Sequence, residues 1–244
     1  MISYEEQAFF ELKKWQKKMS KKPSFKSKVT KGVQKKFNNL VPEKAQNIIT
    51  EAIKNMTKAV LTGSEFITKA PLLYAVLEER EKLVEEKLNF YRKAATVSGA
   101  GTGAGGLLLG LADFPILLSI KMKFLFDTAS IFGFDVKNYT ERLYILHIFL
   151  LAFSSDEKRY EIYHNILNWE NYINTLPSNL NEFDWKSFQM EYRDYIDLAK
   201  MLQLVPGIGA VVGAYANYQL MDKLGEIAMN AYRMRLLGGS SSDL

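Results

Sequence analysis

Apolar residues recur every three to four positions through most of the chain, and no stretch sustains the every-second-residue alternation of a half-buried strand. That single pattern confines the protein to helix packing. Ser3-Tyr4-Glu5-Glu6 reads as a capping box, and Ala8, Leu12, Trp15 and Met19 follow it as one stripe. Pro42 suits a first helical position ahead of Ala45, Ile48, Ile49, Ala52, Ile53, Met56, Ala59 and Val60. The stretch 71–95 opens at Pro71 and is rich in Glu, Lys and Leu, all strong helix formers. An apolar helix is expected over 114–133. Ser154-Ser155-Asp156-Glu157 repeats the capping pattern ahead of a helix near 155–173, and Trp185, Phe188, Tyr192, Ile196, Ala199 and Leu202 trace a further stripe. The expected fold is all-α, a single multi-helix domain over 1–237, with the Gly-Gly-Ser-Ser-Ser end placing a disordered tail at 238–244.

Two segments break the amphipathic pattern. Ala94–Ala112 is an uncharged run of 19 residues and Met201–Met221 one of 21, and together they hold nine of the 15 glycines. A glycine in a helix interior costs up to ~1 kcal/mol relative to alanine, so the clustering needs a compensating gain. Gly99/Gly103, Gly101/Gly105, Gly106/Gly110 and Gly209/Gly213 are spaced by four, which places small residues on one helix face and lets another backbone approach. We therefore expect two Gly-rich central helices packed closely, the first within 94–135 and the second within 201–237. A spanning reading is weakened by Asp113, Lys121 and Lys123 after the first run and by Pro206 inside the second, because acids and lysines are costly at a bilayer centre. A buried core or a shallow hairpin suits these segments better.

Charge is distributed unevenly. Residues 1–60 carry 14 lysines against five glutamates, although the whole chain is only +5. Between Glu11 and Glu43 stand eleven lysines and no acid, including Lys13, Lys14, Lys17, Lys18, Lys21 and Lys22. Such a segment, a basic helical arm over 1–40, lowers its energy beside a polyanion. An anionic membrane surface is the expected partner, with Phe9, Phe10 and Trp15 as rings able to insert beside the lysines. Nucleic acid is the weaker candidate, since the segment holds no arginine to fork onto phosphates or bases. A merely solvated basic face is the bland alternative.

Catalytic chemistry finds little support. Without cysteine, disulfides, thiolate metal sites and thiol catalysis are excluded. His147 lies in an apolar run and reads as a core histidine, while His164 has no partner at metal-ligand spacing. Gly101-Thr102-Gly103-Ala104-Gly105-Gly106 matches a dinucleotide fingerprint in form only, because that motif works between a strand and a helix. Asp113 is expected to cap the helix containing Pro115, and Asn217 to hydrogen-bond across a close helix pair. No catalytic residue, metal or cofactor is expected. The start of the chain, acidic where a signal peptide is basic, reads as cytoplasmic.

The runs 99–135 and 204–235, together with 13–24 and 42–66, resemble the EcsC protein family, and Gly110-Leu111-Ala112-Asp113-x-Pro115 is the most specific part of the likeness. The resemblance marks Gly99, Gly101, Gly103, Gly105, Gly110, Asp113 and Pro115, then Pro206, Gly207, Gly209, Gly213 and Asn217, as family motif positions. It also implies a gene neighbourhood with the subunits of an ABC transporter, and no established biochemical activity. The leading expectation is thus a non-enzymatic accessory protein, peripheral to the inner face of the cell membrane and associated with an ABC transporter. A soluble enzyme or small-ligand binder built on Asp113 and the Gly-rich segment is the alternative, and nucleic-acid binding through the arm is a second.

Overall fold

A computed structural model describes residues 2–22, 43–63, 66, 68–103, 113–154, 156–176 and 209–238. Helices α1 (Tyr4–Met19), α2 (Glu43–Thr62), α3 (Leu77–Gly103), α4 (Phe114–Ile131), α5 (Tyr139–Phe153), α6 (Asp156–Leu167), α7 (Trp169–Tyr172) and α8 (Gly209–Gly238) follow one another in chain order, with a 3₁₀ turn at Ile173–Thr175. No strand occurs among the described residues, and the fold is all-α. Residues 23–40 of the expected basic arm, the stripe from Trp185 to Leu202, Gly105, Gly110, Pro206, Gly207 and residues 239–244 lie outside the described residues.

The longest interface joins α3 to α8. The two run antiparallel, since Glu81 meets Arg233 and Arg92 meets Asp222 as one sequence rises and the other falls. This pairing brings the glycine-bearing stretches Gly99–Gly103 and Gly209–Gly213 to the same end of the pair. Gly225, outside both uncharged runs, marks a close approach: a Cβ there would stand 2.5 Å from Leu88 Cδ2. The helix expected from Pro71 begins instead at Leu77, because residues 71–76 are held in a non-helical path by Arg80. Its guanidinium donates to the carbonyls of Ala75, Leu73 and Ile131. Arg142 repeats the device on the carbonyl of Leu61 at the end of α2. Each arginine stands beside a left-handed glycine, Gly133 and Gly63 respectively, that releases the chain from its helix.

α5 is apolar on every side from Leu143 to Phe153 and buried accordingly, the expected fate of a helix with no polar stripe. His147 is a core histidine. Its Nδ1 lies 2.8 Å from the carbonyl oxygen of Leu143, and burial pushes its pKa down to about 4. The helix expected near 155–173 breaks at Asn168, and Ser154 closes α5 rather than capping α6, its hydroxyl having no partner among the described residues. Asp113 does occupy the N-cap position of α4 with Pro115 in the first turn, but its side chain makes no capping hydrogen bond, contrary to expectation. Its backbone is already in the helical region (φ −86°, ψ −4°), not the extended geometry that aims a cap side chain at the first amides. Gly101 and Gly103 continue α3 with helix before them, so they do not form a strand-to-helix phosphate loop.

Candidate functional site

α1 starts with a complete capping box: Ser3 Oγ accepts from the Glu6 amide at 3.1 Å, and Glu6 Oε2 accepts from the Ser3 amide at 2.8 Å. Its buried stripe is Ala8, Leu12, Trp15 and Met19. Trp15, expected among rings reaching a membrane, is only 5% exposed and packs edge-on against Tyr163 of α6 at 5.8 Å. The indole shares the apolar periodicity, and burying so large a surface in the body outweighs leaving it for a partner. The segment is therefore no free arm over 4–19, since it packs on α3, α6 and α8.

The opposite face carries Phe10, Lys13, Lys14 and Lys17, spaced i, i+3, i+4 and i+7 on one side of the helix. Phe10 is 66% exposed, and the three lysines are exposed around it with no carboxylate partner among the described residues. Phe9 is half-buried beneath Lys13, whose Nζ sits 4.9 Å from its ring centroid. Lys18 faces sideways and pairs with Glu226 of α8 at 3.0 Å. Lys21 and Lys22 lie exposed just beyond the helix.

Behind this face a buried ion cluster fastens α1 to the body. Arg233 of α8 donates to both oxygens of Glu81, at 2.6 and 2.5 Å, and to Glu11 at 3.0 Å, while the Tyr4 hydroxyl donates to Glu81 at 2.7 Å. Burial disfavours the guanidinium's charge, but the hydrogen bonds and negative charge of Glu81 and then Glu11 outweigh it, raising its pKa. Burial, then the Glu81 hydrogen bond and charge, push Tyr4 up, so its phenol stays a donor. The periodicity of apolar residues carries no signal for this cluster. Three of its members lie on faces that, read alone, belong to ordinary charged helix surface.

Two further clusters tie α5 to α8 and α3 to α4. Arg235 pairs with Glu141 of α5 at 2.6 Å and stacks over Phe134 at 3.6 Å, and the Tyr232 hydroxyl donates to Glu141. Asp127 of α4 accepts from Tyr91 of α3 at 2.8 Å and pairs with Lys87 and Lys123. Asn217, 1% exposed, receives Lys121 Nζ at 3.4 Å from across the α4–α8 contact. Lys121 is itself buried, so its Asn217 contact serves a charge held away from water.

Between α1 and α8 runs a groove of about 490 Å³. α1 and the residues after it contribute Lys14, Lys17, Lys18 and Lys21 to its walls, and α8 contributes Asn230 and Arg233. Among the described residues no cluster of acids and histidines suits a metal ion, and no helix is long and apolar enough to cross a membrane.

No solved structure matches the chain significantly. Protein EcsC of Bacillus subtilis (strain 168) is 45% identical over 224 residues, covering 91% of this chain and 92% of the relative. Uncharacterized protein YdbA of the same organism is 26% identical over 246 residues, covering 92% and 90%. The family model described as the EcsC protein family matches residues 6–237, a span from the first turn of α1 to the last turn of α8, and the chain belongs to that family.

Proposed function

We propose that the protein is a non-enzymatic accessory factor that docks the outer face of α1 on an anionic membrane surface at the inner side of the cell membrane. The observation that carries this reading is the face formed by Phe10, Lys13, Lys14 and Lys17, opposite the stripe that anchors the helix. Each lysine near an anionic bilayer contributes about 1 kcal/mol, and a single inserted phenylalanine adds on the order of 1–2 kcal/mol. The sum suits reversible, salt-sensitive binding rather than permanent anchorage. The ABC transporter implied by the family resemblance is the partner that such docking would place within reach.

Sedimentation with vesicles tests the reading. The protein should co-sediment with vesicles containing phosphatidylglycerol or phosphatidylserine but not with pure phosphatidylcholine, and salt should release it. Replacing Phe10 with Ser and Lys13 with Gln should cut retention without changing helicity. Equal indifference to charged and neutral vesicles removes the proposal.

A further inference from the structure

The groove between α1 and α8 has a composition of its own. Five cations line it, Lys14, Lys17, Lys18, Lys21 and Arg233, against the two carboxylates Glu11 and Glu226. Two other wall residues hold buried polar atoms that find no hydrogen-bond partner among the described residues: the donor Trp15 Nε1 and the acceptor Asn230 Oδ1. Unpaired buried polar atoms are uncommon and call for a partner. The Asn230 amide is oriented, since its Nδ2 donates to the Glu226 carbonyl at 2.8 Å and leaves Oδ1 as the unpaired atom. Arg233, 8% exposed, is fixed by Glu81 and Glu11, so its charge is answered within the fold and the cations left to a ligand are the lysines of the wall.

We propose that this groove binds a phosphate ester of a polyol, such as a phosphoglycerol group. Its phosphate takes the lysine ammoniums and the Trp15 N–H, because an anionic oxygen accepts charge-assisted hydrogen bonds. Its carbon-bound hydroxyls, set apart from the phosphate along the polyol, donate to Asn230 Oδ1 while the phosphate stays on the ammoniums, a span that an unsubstituted phosphate, with its P–OH on the same centre, does not have. Both orphan atoms are shielded from solvent, so the ligand reaches them by parting the side chains of the groove wall. The volume suits one small polar group rather than a polymer. Lys14 and Lys17 belong to both the groove and the outer face of α1, so the groove opens at the edge of the docking face. The vesicle arm of the test rests on the docking reading, whereas binding of the free ester does not.

Calorimetric titration of the full chain with glycerol 1-phosphate, and separately with inorganic phosphate, addresses the site directly. The ester should bind saturably and more tightly than inorganic phosphate. Lys18→Gln combined with Lys21→Gln should weaken it by at least about tenfold, the loss expected for even one hydrogen bond to a charged group. Asn230→Leu should erase the preference for the ester while sparing phosphate, and Phe10→Ser should change neither. In parallel, vesicles of phosphatidylglycerol are compared with phosphatidylserine vesicles of equal charge. A phosphatidylglycerol preference lost in Lys18→Gln/Lys21→Gln assigns the groove to a lipid headgroup. Ester binding without that preference assigns it to a soluble phosphoester. Inorganic phosphate binding as tightly as the ester, an unaltered Lys18→Gln/Lys21→Gln variant, or absence of both ester binding and lipid preference overturns the proposal. Failure to bind any vesicle removes the docking reading while the calorimetry still decides the groove.

Discussion

The lysines of α1 and the arginines at the end of α8 are both positive and both carried by helices, yet they do opposite things. Lys13, Lys14 and Lys17 are exposed and form no ion pair among the described residues. Arg233 and Arg235 point into the protein, each against a buried carboxylate, Glu81 or Glu141. An exposed ammonium contributes little to folding and keeps its field for a partner. A buried guanidinium is consumed by the fold, because its charge is already answered. Charge counted along the sequence therefore overstates what is available for binding, and Lys18, paired with Glu226, falls between the two classes.

The contrast can be broken most sharply at Arg233. Arg233→Met leaves Glu81 buried without its partner, and should destabilise the protein by about 3–5 kcal/mol in urea unfolding. The double change Arg233→Met/Glu81→Met should recover much of that loss, since it removes both charges. A loss below about 1 kcal/mol for Arg233→Met alone would place it with the surface cations.

A buried group kept neutral extends the comparison. The His147 pKa is lowered to about 4 in the fold from 6.5 when unfolded. Between those values the unfolded chain takes up a proton that the native state refuses, so stability should fall as pH drops from 6.5 toward 4. The loss is on the order of 3 kcal/mol. Chemical denaturation across that range should show the slope in the parent and a shallower one in His147→Leu. An unchanged slope would mean that other groups carry the acid sensitivity.

Gly225 probes the packing between the two helices that the ion clusters lock. Gly225→Ala gains up to about 1 kcal/mol of helix propensity but drives its methyl into Leu88, an overpacking of about 1–3 kcal/mol. A small net loss is expected, and it should turn into a gain when made in a Leu88→Ala background. Absence of such coupling in a double-mutant cycle would place the close approach elsewhere. The smallest effect belongs to the outer lysines. Lys13→Gln/Lys14→Gln/Lys17→Gln should leave the thermal midpoint nearly unchanged, within about 0.5 kcal/mol per site, while vesicle retention drops. A large stability loss would show that these ammoniums serve the fold.

Much of the architecture was legible beforehand. The stripe Ala8–Leu12–Trp15–Met19, the capping box at Ser3 and the one-sided face of α2 are local patterns, and α1 and α2 appear where those patterns place them. His147 was readable as core for the same reason. The role of Trp15 was not, since an aromatic on a basic helix suits a membrane and a core equally well until a neighbour such as Tyr163 is in place. The start of α3 was missed because Arg80 holds two carbonyls of the loop before it, Leu73 and Ala75, while also reaching Ile131 at the end of α4, 51 residues away. Asp113 illustrates the opposite error: the right residue type stood at the right position, with a backbone geometry that withholds the bond.

Periodicity, caps and charge runs are properties of neighbours along the chain, so the sequence by itself determined the all-helical class, the amphipathic first helix and the excess of lysine. Which charges are answered depends on groups separated by up to 222 residues, as Glu11 and Arg233 are. Tertiary structure alone decided that the arginines of α8 are spent inside, that Trp15 is core, and that Lys14 to Lys21 share a groove with Arg233. The physical reason is desolvation: a charge or ring changes its role when another helix removes its water, and linear order does not record which helix that will be.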